Sequence, residues 1–202
     1  MVSRRVTLGV GLFALALLFA GLAFATTDFH AMESNTAADV TVGTARATNT
    51  TVPLDRPLQL VVLGDGPVAA QLGPALSNGL SPRFADIELA DEPAAAYPGA
   101  VLVVDVEEAG LDYDPFSPTA DVVLEFAFVG SGNGTRARQF VTEDQLLVIT
   151  NRDRYVLKGD LALRDESRGI VTLPAYRKHV TERLVERLSA SLLDAPGMGV
   201  ES

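Results

Sequence analysis

The sequence predicts an α+β domain of two layers, a mainly antiparallel sheet with two helices on one face, preceded by an N-terminal transmembrane helix. An uncharged apolar run begins at Val6 and ends at Ala25. Short apolar or alternating segments recur after Leu58, which is the pattern of strands. Apolar residues at four-residue spacing mark two later stretches, and these predict the two helices.

The N-terminal run is long enough to cross a membrane, because about 20 apolar residues span a bilayer as a helix. Arg4 and Arg5 precede the run, and the positive-inside rule keeps them in the cytoplasm. Residues 1–25 are therefore expected to be a single-pass anchor in the cell membrane, with the domain outside. The alternative is a signal peptide cleaved after Ala25, which would make the protein secreted. The length of the run favours the anchor.

The composition excludes several classes of function. Subtracting Arg4 and Arg5 from the 16 basic residues leaves 14 against 26 acidic residues, a formal charge of −12 outside the membrane. Such a charge repels nucleic acid, so no nucleic-acid partner is expected. The chain has no cysteine, which excludes disulfides, thiol catalysis and Cys-ligated metals. Together with the leader, this acidic composition resembles exported proteins of halophilic archaea, although an acidic protein from a high-GC bacterium would also fit.

The domain boundaries follow from shifts in composition. Residues 26–57 are rich in Thr and Ala and predict a stalk, in which Asn49 begins a glycosylation sequon. Residues 39–42 alternate, so they are an alternative candidate for an edge strand. Residues 58–195 predict the folded domain, and residues 196–202 a disordered tail.

The first half of the domain predicts a strand, a helix and two more strands. The strand Leu58–Leu63 is followed by a turn and by a helix over residues 68–80, in which Pro74 should cause a kink or an early end. Residues 85–90 and 101–106 predict the next strands. The acidic segment 107–118 predicts an irregular loop.

The second half predicts hairpins and a long helix. Residues 121–129 alternate as a strand, and Ser131-Gly132-Asn133-Gly134 predicts a hairpin turn with a return strand over 135–142. Asn133 begins a second sequon at that expected tip. Three further strands are predicted around a hairpin at 151–154 and a turn at 165–169. These strands are 146–150, 155–163 and 170–173.

The C-terminal helix is predicted from Pro174 to about residue 193. Its apolar stripe is expected to pack on the sheet, with exposure to a partner as the alternative. The stripe consists of Tyr176, Val180, Leu184, Leu188 and Leu192. The order of elements is similar to that of small periplasmic assembly domains, such as those at the start of TolB-type proteins or in LptE-like lipoproteins. This similarity is one of topology alone, and topology does not imply function.

One turn matches part of a dinucleotide-binding fingerprint. Gly64-x-Gly66-x-x-Ala69 follows a strand and opens a helix, and Glu88 or Asp91 could supply the acid that binds a ribose. Residues 58–91 thus resemble the first unit of a Rossmann fold, which implies a cytoplasmic domain that binds NAD or ADP. Pro74, the antiparallel hairpins and the expected outside location count against this interpretation. A tight turn is the favoured alternative, and no cofactor is expected.

Other candidate sites are weak. The acidic loop offers Asp112 and Asp114 as oxygen ligands for Ca²⁺, but its spacing is not that of an EF-hand, and a solvated loop is favoured. His30 lies in the stalk and His179 on the polar flank of the last helix, so a histidine-based site is not expected. Ser131 does not lie in a nucleophile elbow. No catalytic residue is nominated.

These observations favour a membrane-anchored, extracytoplasmic interaction or envelope-assembly module without enzymatic activity. Its partners are expected to be the membrane, through the run from Val6 to Ala25, and an envelope protein. Binding would use the sheet edges or the hairpin at 130–135. The alternative is a nucleotide-binding domain that uses Gly64, Gly66 and Ala69, and a third hypothesis is a Ca²⁺-stabilised surface domain.

Overall fold

A computed structural model describes residues 31–46, 56–143 and 155–198 of the chain. These residues form six strands and three helices. In chain order they are β1 (Ala31–Arg46), β2 (Leu58–Leu63), α1 (Pro67–Leu80), β3 (Ile87–Ala90), β4 (Ala100–Asp112), β5 (Thr119–Val129), α2 (Gly134–Thr142), β6 (Tyr155–Gly169) and α3 (Leu173–Leu193).

The strands form one six-stranded sheet in the order β1-β6-β5-β4-β2-β3. β2 runs parallel to β3 and β4, whereas the other neighbours are antiparallel. The α+β class is therefore confirmed, and the sheet is mixed. The predicted transmembrane segment lies outside the described residues. Within the described ranges, no helix is long and apolar enough to cross a membrane.

Helices α1 and α3 cover one face of the sheet, as predicted. Apolar residues at alternate positions of β4, β5 and β6 on that face form one buried cluster with residues of both helices. The apolar stripe of α3 is buried as expected, and none of its five residues is more than 1% exposed. Thr172 accepts a hydrogen bond from Ala175 N and caps α3, and Pro174 occupies its first turn. Helix α1 continues past Pro74 to Leu80.

A third helix, α2, packs on the opposite face of the sheet. The sequence predicted a return strand over residues 135–142, and that prediction is wrong. Asn133 accepts a hydrogen bond from Arg136 N at 3.0 Å, which caps a helix and does not close a hairpin. Ala137, Phe140 and Val141 of α2 then pack on the buried valines of β4 and β5. The domain therefore has helices on both faces, with α1 and α3 together on one of them.

Gly132 and Gly134, at the start of α2, allow residues 94–97 to approach the chain closely. Tyr97 N donates to Gly132 O at 2.8 Å, and Gly134 N donates to Ala94 O at 3.0 Å. An added Cβ at Gly132 would lie 1.9 Å from Tyr97 O. The Gly-Asn-Gly pattern that predicted a hairpin thus allows residues 94–97 to pass over the start of the helix.

Strand β6 is longer than predicted. Residues 165–169, expected to form a turn, continue the strand because they pair with β1 on one side and, up to Glu166, with β5 on the other. The strand expected at 170–173 is absent. Val171 N instead donates to Pro115 O in a loop, and α3 begins at Leu173. The strand predicted at 146–150 and the hairpin at 151–154 lie outside the described residues.

The edge strand considered at residues 39–42 is present and belongs to the 16-residue strand β1. Its pairing with β6 runs from Ala31 opposite Gly169 to Arg46 opposite Tyr155. β1 lies within residues 26–57, for which the sequence predicts a stalk. The sheet therefore includes part of that segment and begins at Ala31. The boundaries of the anchor, stalk and tail otherwise stay predictions.

Candidate functional site

The fingerprint glycines lie in the turn from β2 to α1. Both have positive φ angles, 101° at Gly64 and 98° at Gly66. An added Cβ at Gly64 would lie 2.8 Å from Val106 O, so this glycine allows β2 to leave the sheet beside β4. Gly66 precedes the first turn of α1, and Ala69 is buried between the helix and the sheet. Packing and backbone conformation therefore explain Gly64 without a ligand.

The parallel β2-α1-β3 unit that the fingerprint needs is present. Glu88 on β3 and Asp91 just after it are both exposed. The chain then departs from the Rossmann pattern, because β5 is antiparallel to both of its neighbours, β4 and β6. Nucleotide binding at this turn stays a prediction.

The acidic loop is organised by hydrogen bonds to the chain itself. The irregular loop predicted over residues 107–118 is shorter than expected, because residues 107–112 belong to β4, which pairs with β5. In the remaining loop, Asp114 Oδ1 accepts from Phe116 N at 2.8 Å and from Ser117 N at 3.1 Å. This is an Asx-turn, which holds the loop in a fixed shape. Within the described ranges, no group of three or more acidic or histidine side chains is arranged to hold a metal ion.

Of the two predicted sequons, Asn49 lies outside the described residues. Asn133 is half-buried, and its side-chain oxygen caps α2. The exposed hairpin tip that favoured its glycosylation is absent, and modification of either asparagine stays a prediction.

A polar cluster around the buried side chain of Asp165 joins β1, β6 and α3, and the sequence did not predict it. We call it the Asp165 cluster: Ser34, Thr36, Asp165, Ser167 and His179. Ser167 Oγ donates to Asp165 Oδ2 at 2.9 Å, and Thr36 Oγ1 donates to Asp165 Oδ1. His179 Nε2 lies 3.2 Å from Asp165 Oδ1. Asp165 is 0% exposed and His179 7%, so the histidine placed on a polar flank by the sequence is buried.

The hydrogen bonds of the cluster keep Asp165 charged. Burial alone would raise the pKa of this carboxyl, but the hydrogen bonds from His179, Thr36 and Ser167 outweigh burial and lower its pKa to about 2. Burial and the nearby Asp165 charge raise the pKa of Tyr176, whose ring stacks on that of His179. The cluster therefore contains a stable negative charge with donors from three elements.

The cluster has the residue types of a hydrolase triad without its geometry. In a triad, the serine and the carboxylate contact different nitrogens of the histidine. Here Ser34 Oγ, at 3.3 Å, and Asp165 Oδ1 both face His179 Nε2. A nitrogen that donates its proton to Asp165 cannot accept one from Ser34, so the arrangement fixes positions and does not activate a nucleophile.

One signal in the sequence pointed to this cluster. Every second residue of β6 is buried from Leu157 onward, and that alternation continues without a break through Asp165 and Ser167. Taken alone, the polar residues predicted a turn. Their burial depends on β1 and α3, which come from distant parts of the chain.

The outer edge of β1 is the most extensive open feature of the sheet. β1 is the terminal strand, and within the described ranges no strand pairs with its outer side. Edge strands are usually protected by lysine or other charged side chains, by proline, by β-bulges or by short length. β1 is 16 residues long and has no lysine or proline; its charged residues are Glu33, Asp39 and Arg46, and its register with β6 shifts between Ala31 and Glu33. Val42 adds an apolar side chain that is 36% exposed.

The fold can be compared with those of solved structures. A PelC dodecamer from Paraburkholderia phytofirmans is 13% identical, with a TM-score of 0.34 over 72% of this chain and 96% of that chain. Lipoprotein GNA1162 from Neisseria meningitidis is 16% identical, with a TM-score of 0.36 over 67% of this chain and 99% of that chain. No protein-family model and no curated protein matches the chain. At these scores, nothing about binding or assembly transfers to this protein.

Proposed function

We propose that the protein is a membrane-anchored, extracytoplasmic interaction or envelope-assembly module that binds an extended segment of an envelope protein along β1. The single observation that carries the proposal is the open outer edge of β1, 16 residues long and unprotected by lysine or proline. A partner strand added there would hydrogen bond to the outward-facing main-chain groups of β1, the mode known as β-augmentation.

The Asp165 cluster supports this role by fixing β1 in place. An edge strand that receives a partner must itself be held firmly, and β1 pairs with β6 on its inner side. Ser34 and Thr36 of β1 both hydrogen bond to Asp165, which connects the strand to α3 through His179. The outer edge is therefore presented on a strand held by the sheet and by the helix layer.

Binding is favoured over catalysis because the described side chains that resemble a catalytic group are arranged to fix structure. Asp165 is fully buried and is saturated by hydrogen bonds from its neighbours. The sequence supports the location, since the run from Val6 to Ala25 predicts an anchor with the domain outside.

Location is tested by protease accessibility in intact cells, with membrane and medium fractions analysed alongside. The proposal predicts that the chain is in the membrane fraction and that protease added outside digests the domain. Protection in intact cells with digestion only after lysis would contradict it, and nucleotide binding at Gly64 and Gly66 would then be the hypothesis to assay.

The binding edge is tested by photo-crosslinking in cells. A photoreactive residue is introduced at Asp39 or Thr41, both exposed on β1, and in a control at Arg187, exposed on α3. We expect crosslinks to a protein partner from β1 and none from position 187. Equal crosslinking from all three positions, or none from β1, would contradict binding at this edge.

A further inference from the structure

We infer that the end of the domain formed by Phe116 and Ile170 rests on the lipid surface and inserts these two side chains into it. The inference depends on the anchored topology proposed above. Phe116 is 65% exposed and Ile170 57%, the two most exposed large apolar side chains of the described residues. Exposed apolar groups of this size mark contact surfaces when they lie together.

The backbone brings the two residues to one place. Gly169 N donates to Phe116 O at 3.0 Å, and Ile170 follows Gly169 directly. Val171 N donates to Pro115 O, also at 3.0 Å. The loop that carries Phe116 is thus joined by main-chain hydrogen bonds to the segment that carries Ile170. We call these two joined segments the apolar tip.

The apolar tip lies where the chain arrives from the predicted anchor. Ala31, the first residue of β1, pairs with Gly169, the last residue of β6. The predicted membrane run ends at Ala25, six residues earlier. An extended chain covers at most about 3.6 Å per residue, so Ala31 lies within roughly 20 Å of the end of the run. A membrane-anchored chain therefore holds this end of the sheet close to the bilayer.

The loop is held in a fixed shape that leaves Phe116 exposed. Asp114 Oδ1 accepts hydrogen bonds from the main-chain nitrogens of Phe116 and Ser117. Tyr113 OH donates to Val171 O at 2.7 Å and ties the start of the loop to the same partner segment. A loop fixed in this way loses little conformational freedom when its aromatic ring enters lipid, which favours insertion.

The chemistry of the tip fits a lipid surface that lacks strong negative charge. Aromatic and branched apolar side chains favour the boundary between headgroups and acyl chains. Asp112 and Asp114 beside them would be repelled by anionic headgroups. The partner is therefore a zwitterionic or charge-screened bilayer, which the anchor keeps at high local concentration.

The test uses the full-length chain reconstituted into phosphatidylcholine vesicles. The protein has no cysteine, so a single introduced cysteine carries an environment-sensitive dye at one known site. One variant is Ser117→Cys, exposed next to Phe116, and the control is Arg83→Cys, exposed at the opposite end of the sheet. We expect a blue-shifted emission at position 117, quenching by lipids with a spin label on the acyl chain, and protection from iodide. The dye at position 83 should show none of these.

The role of the two side chains is tested by adding Phe116→Ser and Ile170→Ser to the Ser117→Cys chain. Both residues are exposed, so the melting temperature should not fall, whereas the blue shift and lipid quenching should be lost. Quenching that persists in this variant would overturn the assignment to Phe116 and Ile170.

Flotation of the vesicles separates failure of the inference from failure of the proposed function. If the chain floats with the vesicles while the dye at position 117 stays in water, the anchor stands and the lipid contact is overturned. If the chain does not float with the vesicles, the anchored topology is overturned and the lipid contact with it.

Discussion

At the scale of single residues, Asp165 makes stability depend on pH. The ordinary pKa of an aspartate side chain is 3.8, and the pKa of Asp165 in the folded protein is about 2. As pH falls below about 5, the unfolded chain takes up this proton before the folded one does. The charge of Asp165 contributes about 2 kcal/mol to the free energy of unfolding. This contribution is complete above about pH 5 and is lost as the pH falls through about 2.

The measurement is the free energy of unfolding in denaturant, from pH 6 down to pH 3, for the wild type and for Asp165→Asn. We expect the wild type to be the more stable at pH 6 and its advantage to shrink steadily toward pH 3. A difference between the two chains that does not change with pH would contradict the role given to the buried charge.

Gly159 lies at a position of β6 where the sheet has no room for a side chain. An added Cβ would lie 2.6 Å from both Phe126 Cζ and Thr41 O, and because Thr41 O is a main-chain atom, β1 would have to move. We expect Gly159→Ala to destabilise the fold by about 1–3 kcal/mol, the range for overpacking. The control is Gly110→Ala, whose Cβ would lie at an ordinary 3.6 Å from Asp121 O. Equal melting temperatures for the two variants would show that β1 does not pack as described.

At the scale of elements, α2 depends on its N-cap. Main-chain N–H groups in the first turn of a helix have no helical carbonyl to bond to, and Asn133 Oδ1 accepts a hydrogen bond from one of them, Arg136 N. We therefore expect Asn133→Ala to lower the free energy of unfolding by about 1 kcal/mol. Thr135→Ala, exposed in the same turn, is the control. Denaturant unfolding measures both variants. A cost for Thr135→Ala as large as that for Asn133→Ala would contradict the capping role.

The elements that sequence could predict are those whose signals lie within themselves. The α3 stripe and its first-turn proline define that helix, and the alternation of β5 defines that strand, because burial on one face repeats along each element. Helix α2 was missed since its preceding glycines serve contacts with residues 94–97, which lie far away in sequence. The polar end of β6 was interpreted as a turn because the partners of Asp165 come from β1 and α3.

The candidate sites also differ in whether their signals are local or depend on distant parts of the chain. The turn at Gly64 and Gly66 was correctly placed between a strand and a helix, because both flanking elements are local. His179 was placed on a polar flank because the helix alone gives no sign that a buried carboxylate faces it. Predicting that contact requires knowing how α3 packs on β6, which no local pattern specifies.

At the scale of the whole molecule, net charge predicts a response to salt. The chain carries a formal charge of −10, and the self-repulsion of a compact acidic protein weakens when ions screen it. Exposed ion pairs such as Arg164–Glu166 and Lys178–Glu182 contribute little, so screening them costs little. We expect the melting temperature to rise when NaCl is increased from 0.1 M to 1 M. The reason is that the Debye length falls from about 10 to about 3 Å, so repulsion between the acidic side chains is screened. An uncharged osmolyte is the control, and a lower melting temperature in 1 M NaCl would contradict the expectation.

The pairing of β1 with β6 has a consequence for how the protein is made. Ser34 and Asp165, which hydrogen bond across these strands, are 131 positions apart in the chain. During synthesis β1 emerges first, yet β6, its neighbour in the sheet, emerges near the end. Contacts of such long range form slowly, because a large loop must close before they stabilise anything. Until β6 arrives, both edges of β1 are open, so the nascent chain passes through a period in which it is vulnerable to wrong pairing and to aggregation.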